Sequence, residues 1–201
     1  MSTETIFLAK GVVKSKGTKA LTAFNLAIPD FTKLSHLKPS EYISTVWSQY
    51  KKSGHAARDL NGKVFEYILI SLFINKNLLP LYIQAKAAFV PNVDFDLLLY
   101  TSEKPIVLSA KTSLRERYKQ ADLESIALKY VHRRAESYLL TLDETECQSV
   151  NNKILKGDVI GINKVILATS EDMDTLINIL ETLKLERAKT IDIITAQSMV
   201  S

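Results

Sequence analysis

The longest regular pattern in the chain runs from Ala56 to about Asn75, where Ala57, Leu60, Val64, Ile68 and Leu72 recur at helical spacing with Phe65, Leu69 and Phe73 beside them. That period predicts a helix, which Gly62 weakens by about 1 kcal/mol without breaking it. Glu66 stands at the edge of the apolar stripe, so its carboxylate is either an exposed flank or points into a site. An earlier helix starts at Pro39, with Glu41 in its first turn and Ile43, Val46, Trp47 and Tyr50 on one core-facing side. Past Pro80 the period changes. Leu81 to Ala85, Phe95 to Tyr100 and Ile106 to Lys111 read as strands, and Thr101-Ser-Glu-Lys-Pro between the last two is a turn that makes them a hairpin. A helical stretch follows Ser113 and runs to about Glu136. Tyr138 to Leu142 and Val165 to Thr169 are short strands, Ser170 opens a helix carried by Met173, Leu176, Ile177, Leu180 and Leu183, and Ile191 to Ile194 closes the sheet. Strands alternating with helices around one hairpin predict an α/β fold, a mixed β-sheet core flanked by helices, in a single domain over residues 1–201.

Residues 1–34 show no such period. Lys10, Lys14, Lys16 and Lys19 surround Gly11 and Gly17, which reads as a solvated, partly flexible arm or, alternatively, as a contact to a DNA backbone. Composition adds little. The 201 residues are 46% hydrophobic and 24% charged, an ordinary globular balance. A net charge of +4 and a pI near 9.0 suit a polyanionic partner without requiring one. The single cysteine, Cys147, lies among polar residues in an expected loop and cannot form an internal disulfide. No apolar run reaches the ~20 residues needed to span a bilayer, and the N-terminus lacks the pattern of a signal peptide. A cytoplasmic location is expected, with no membrane partner.

The chemistry gathers on the hairpin. A nuclease that hydrolyses a phosphodiester with Mg²⁺ needs two or three hard oxygen ligands and a lysine that stabilises charge or helps activate water. If the hairpin turns around Glu103, Asp96 near the start of one strand lies across from about residue 110, beside Lys111; Asp94, one step further out, is the reserve. Taken alone, such an Asp and Lys describe an ordinary edge salt bridge. Many metal nucleases carry a second acid two residues before the lysine, yet Ser109 stands there. Glu124, thirteen positions beyond Lys111, can present a carboxylate from the following helix, and Glu66 can supply another. Between them lies Arg115-Glu-Arg-Tyr-Lys. Arg donates twice to guanine O6 and N7, and Glu accepts from cytosine N4, so Arg115, Glu116 and Arg117 suit adjacent G·C pairs, with Lys119 adding charge for phosphates. The same triplet also describes a salt-bridged helix surface. Lys129, Arg133 and Arg134 either contact phosphates or face water, and Tyr118 either touches DNA or packs.

Ser-x-Lys, twelve intervening residues, then Glu, with Arg-acid-Arg just after the lysine, resembles the PD-(D/E)xK restriction endonucleases of the EcoRII, PspGI and NgoMIV branch, in which the second acid has moved from strand to helix. The resemblance covers about residues 93–125. It implies a restriction-endonuclease-like fold, Asp96 or Asp94 as the strand metal ligand, Lys111 as the lysine, Glu124 as the helix acid, Glu66 as an additional acid, and Arg115, Glu116 and Arg117 as readers of CC/GG-type sequences. No proline precedes either aspartate, a departure from the family's pattern that leaves the choice between them open. It further implies Mg²⁺, double-stranded DNA with a palindromic site, and a homodimer or tetramer. A repair or nicking nuclease of the same core and a non-catalytic DNA-binding protein are the alternative expectations. The three histidines, His36, His55 and His132, show no metal-ligand spacing, and no phosphate-binding glycine loop is present.

Overall fold

The computed structural model describes residues 1–90, 92–188 and 193–200. Its elements run α1 (Thr3–Ala9), α2 (Lys19–Ala27), a 3-10 turn (Phe31–Leu34), α3 (Pro39–Lys52), α4 (Asn61–Asn75), β1 (Leu81–Ala87), β2 (Phe95–Tyr100), β3 (Pro105–Lys111), α5 (Arg117–Val131), β4 (Glu136–Thr141), α6 (Glu144–Lys156), β5 (Lys164–Leu167), α7 (Glu171–Glu181) and β6 (Ile193–Val200). The strands form one mixed sheet in the order β5-β4-β3-β2-β1-β6. β1, β2, β3 and β6 pair antiparallel, while β3, β4 and β5 run parallel, each parallel link crossing through a helix. The expected α/β class, a mixed sheet flanked by helices, is observed.

α4 is the centre of the molecule. Val64, Phe65 and the run Tyr67 to Phe73 are all buried, so this helix is apolar around most of its girth and has helices on one side and the sheet on the other. Leu81, Ile83, Leu97, Leu99, Ile106 and Leu108 meet it from the sheet. The opposite face, with Leu98, Val107, Leu139 and Val165, is covered by α5 and α6. The start of α4 lies five residues later than the sequence pattern suggests, because residues 58–60 form a turn.

Residues 1–34 differ from the expected flexible arm. Ser2 and Thr18 cap α1 and α2 by accepting from the Thr5 and Leu21 amides. Phe7, Leu21, Phe24 and Phe31 are fully buried, and the Phe7, Phe24 and Tyr67 rings pack together. The buried aromatic rings fix this segment to the core, while Lys14, Lys16 and Lys19 stay exposed. Two further differences follow the same logic. The helix after Ser113 stops at Val131, and Glu136 opens β4. Residues 144–156 form α6, so Cys147 is buried on a helix rather than lying in a loop, its thiol near the Val165 carbonyl at 3.5 Å and pushed up by burial. Of the last expected strand, Ile193 and Ile194 open β6 at the sheet edge, whereas Ile191 and Asp192 lie outside the described residues.

β1 carries two irregularities, a register shift against β6 between Lys86 and Ala87 and a switch of faces at Gln84. Leu81 and Ile83 belong to the α4 side and Ala85 and Ala87 to the α5 side, so the alternation of faces breaks at Gln84. Gln84 has φ 49°, a left-handed conformation that costs a non-glycine residue of order 1–3 kcal/mol.

On the far side of the sheet, Asp122 of α5 clamps the loop before β5. One of its oxygens accepts from the Ile160, Gly161 and Ile162 amides at 3.1, 2.6 and 3.2 Å. Gly161 presses on α5 so closely that a Cβ there would lie 2.3 Å from the Asp122 carbonyl oxygen and 2.8 Å from the Ile126 nitrogen. Gly161→Ala should therefore destabilise the protein by about 1–3 kcal/mol, read as a fall of several degrees in Tm. An unchanged melting curve would contradict this close approach.

Candidate active site

The β2–β3 hairpin builds the site from its own register. Leu97 pairs with Leu108 and Tyr100 with Pro105, and the turn is closed by the Thr101 hydroxyl accepting from the Glu103 and Lys104 amides at 3.3 and 3.2 Å. This register sets Asp96 opposite Ser109, one residue from the expected position 110. At the open end, Asp96 Oδ2 accepts from the Ala110 amide at 2.9 Å and from Lys111 Nζ at 2.8 Å. Its Oδ1 accepts from the Gln84 amide at 3.3 Å. The pair is well sheltered, with side-chain exposures of 12% for Asp96 and 27% for Lys111. Asp94 precedes β2, is 51% exposed and stands 3.8 Å from Lys86. Of the two candidate aspartates, the fold brings Asp96 to Lys111.

Two more carboxylates approach from opposite faces of the sheet. Glu66, on α4, is 14% exposed and pairs with Lys63 at 2.7 Å. Burial pushes its carboxyl above the usual range; Lys63 opposes this, Asp96 adds to it, and Lys111 lowers it. Glu124, on α5, accepts from Gln120 at 2.7 Å. Burial raises its carboxyl too, against Gln120 and Lys111 and with the help of Asp96 and Asp94. Both glutamates thus feel the charges of the Asp96–Lys111 pair, while Glu66 keeps Lys63 as its direct partner.

The donors are hard oxygens, which suits Mg²⁺. Burial and the Asp96 charge disfavour the ionised form of both glutamates, and a divalent cation among them would offset both effects. Among the described residues, no three His, Cys, Asp or Glu side chains lie close enough to hold a metal by themselves. A magnesium ion here would take one or two carboxylates and keep several waters, its usual habit. Asp96 with one of the two glutamates would supply those carboxylates.

Arg115, Glu116, Arg117 and Lys119 are all exposed, just beyond Lys111. Buried Leu114 anchors the loop, and Arg115 takes a left-handed φ of 41°. The loop is held from α6 by Glu146, whose carboxylate accepts from the Leu114 amide and, at 3.0 Å, from the Arg115 amide. Glu116 pairs with Lys119. Tyr118 packs in the core with Lys153 over its ring at 5.2 Å. Arg133 and Arg134 do not join this group: they lie beyond the other end of α5, lining a hollow with Tyr100 and Lys104 near the hairpin turn. Lys129 donates to Asn163 at 2.8 Å. His36 and His55 are exposed and His132 half-buried, in separate places.

Sequence reasoning missed Gln84 and Glu146. Gln84 had a faint signal, as the one polar residue in Leu81-Tyr-Ile-Gln-Ala. Glu146 had a better one: Asp143 caps α6 by accepting from the Glu146 amide at 2.9 Å, the aspartate-then-glutamate spacing of a helix start. No family model matches the chain, and no curated protein or solved structure matches it.

Removing the Glu146 carboxylate leaves two amides of the basic loop without their charged acceptor. In Glu146→Ala, hydrogen exchange at Leu114 and Arg115 should quicken by roughly tenfold or more, since a bond to a charged group is worth about 1.5–3 kcal/mol. Unchanged protection at both amides would show that Glu146 does not hold the loop.

Proposed function

We propose that the protein is a type II restriction endonuclease with a restriction-endonuclease-like core, cutting double-stranded DNA at a short palindromic site containing C·G pairs. The observation that carries the reading is the sheltered Asp96–Lys111 pair at the mouth of the hairpin, with Glu66 and Glu124 half-buried to either side and electrostatically tied to it. The hairpin, the two flanking helices and the exposed basic run directly after Lys111 all support it.

In this reading Asp96 and Glu124, with or without Glu66, would hold Mg²⁺, which would polarise the phosphate and make a water more acidic. Lys111, paired with Asp96, offers its charge to the scissile phosphate and helps position and activate the attacking water. Ser109 leaves room where a second strand acid would stand, and Glu124 fills that role from α5. Arg115, Glu116 and Arg117 read base edges in the major groove, and Lys119 meets phosphate. A palindromic site calls for two-fold symmetry, hence a homodimer in which each subunit cuts one strand, with pairing into tetramers as a further step. Among the described residues no helix is long and apolar enough to cross a membrane.

The test is incubation with plasmid DNA of known sequence and Mg²⁺, with EDTA and Lys111→Ala as controls. Discrete fragments with shared end sequences, lost under both controls, are expected. Diffuse nicking that still needs Lys111 would favour a repair or nicking nuclease, and DNA binding without cleavage a non-catalytic protein. Glu124→Ala should abolish cutting and leave binding; retained cutting would return Glu124 to the helix surface. Arg117→Ala should cost about 1–3 kcal/mol of base discrimination, and an unchanged site preference would reject its role as a reader.

A further inference from the structure

Asp96 is held from two sides by donors of different kinds. Oδ2 receives the Lys111 ammonium and the Ala110 amide, while Oδ1 receives the neutral side-chain amide of Gln84, its one donor among the described residues. Gln84 faces Asp96 across the sheet: Ile83 pairs with Leu97 and Ala85 with Phe95, so position 84 falls opposite 96. Its backbone is left-handed at φ 49°, in the middle of a strand. That conformation favours glycine, and a glutamine there is strained.

We infer that Gln84 is a positioning residue for the metal side of Asp96, an inference that rests on the nuclease reading above. A carboxylate oxygen has two lone pairs. With Oδ2 occupied by two donors, Oδ1 is the oxygen left to meet a cation, and one amide hydrogen bond leaves it a lone pair to do so. The donor's neutrality matters. A second ammonium at Oδ1 would cancel the remaining negative charge and repel a divalent ion, whereas an amide fixes the carboxylate plane and leaves its charge available. The faces switch at Gln84 in β1 and at the facing Asp96 in β2, and at this switch the Gln84 amide meets Asp96 instead of entering either core.

Backbone and side chain separate cleanly in Gln84→Gly, because glycine keeps the left-handed turn and removes the amide. Gln84→Asn is the second variant: asparagine tolerates this conformation, but its amide is one methylene too short to reach Oδ1. The probe is Mn²⁺ binding to the DNA-free protein by calorimetry, with Tm measured on the metal-free protein. In both variants Mn²⁺ affinity should fall by roughly 10–100-fold, the Mg²⁺ concentration for half-maximal cleavage should rise in step, and the Tm of Gln84→Gly should stay level or rise. Wild-type Mn²⁺ affinity in both variants overturns the inference, whether Tm holds or drops; a drop would assign Gln84 to the fold of the strand alone. A wild-type protein that neither binds Mn²⁺ nor cuts DNA removes the nuclease reading itself and this inference with it, a result distinct from a binding wild type whose variants bind equally well.

Discussion

The contact between Asp96 and Lys111 is the point on which the site depends. It exists because the β2–β3 register sets the two residues at the same open end of one hairpin. The register in turn depends on burial: Leu97, Leu99, Ile106 and Leu108 must face α4, and a slip of one residue would turn all four to the other face. The apolar bulk of α4 thus fixes the place of a polar pair at the sheet's end. The same helix carries Glu66 to that pair, and α5, packed on the opposite face, carries Glu124.

The site gathers negative charge in a protein whose net charge is +4. Asp96 pairs with Lys111, Glu66 and Glu124 lie within electrostatic reach of that pair, and burial raises the carboxyl pKa of both glutamates. For structure alone, such an arrangement is unfavourable, since each charge loses water and gains a like-charged neighbour. Groups perturbed in this way, half-sheltered and next to an exposed basic loop, mark functional sites more often than structural ones. The loop itself is built for exposure. Leu114 and Glu146 hold its base, and Arg115, Glu116 and Arg117 stand out from it.

The elements legible in the sequence were those whose local pattern matched their environment. Phe95 to Tyr100 matches β2 residue for residue, and Pro39 with Glu41 marked α3 because both belong to its first turn. α1 and α2 were illegible because each is short, seven and nine residues, and lysines and glycines separate them. α6 buries only Cys147 and Val150 of its thirteen residues, so its polar surface hid its period. In the site, the proximity of Asp96 and Lys111 followed from hairpin geometry. The sequence could not show that the left-handed turn at Gln84 aims an amide at Asp96, nor that Glu146 reaches the basic loop from a helix some thirty residues on. Both depend on tertiary placement, which no local period encodes.

The most direct measurement of the central claim follows Asp96 itself. Asp96→Asn keeps the shape of the side chain and removes the charge that both Lys111 and a metal ion would use. DNA binding by anisotropy and single-turnover cleavage should be measured on the same preparation. The variant should bind DNA as wild type does and fail to cleave it at any Mg²⁺ concentration. Cleavage at the wild-type rate would show that the hairpin pair is an ordinary salt bridge and that the chemistry, if any, lies elsewhere.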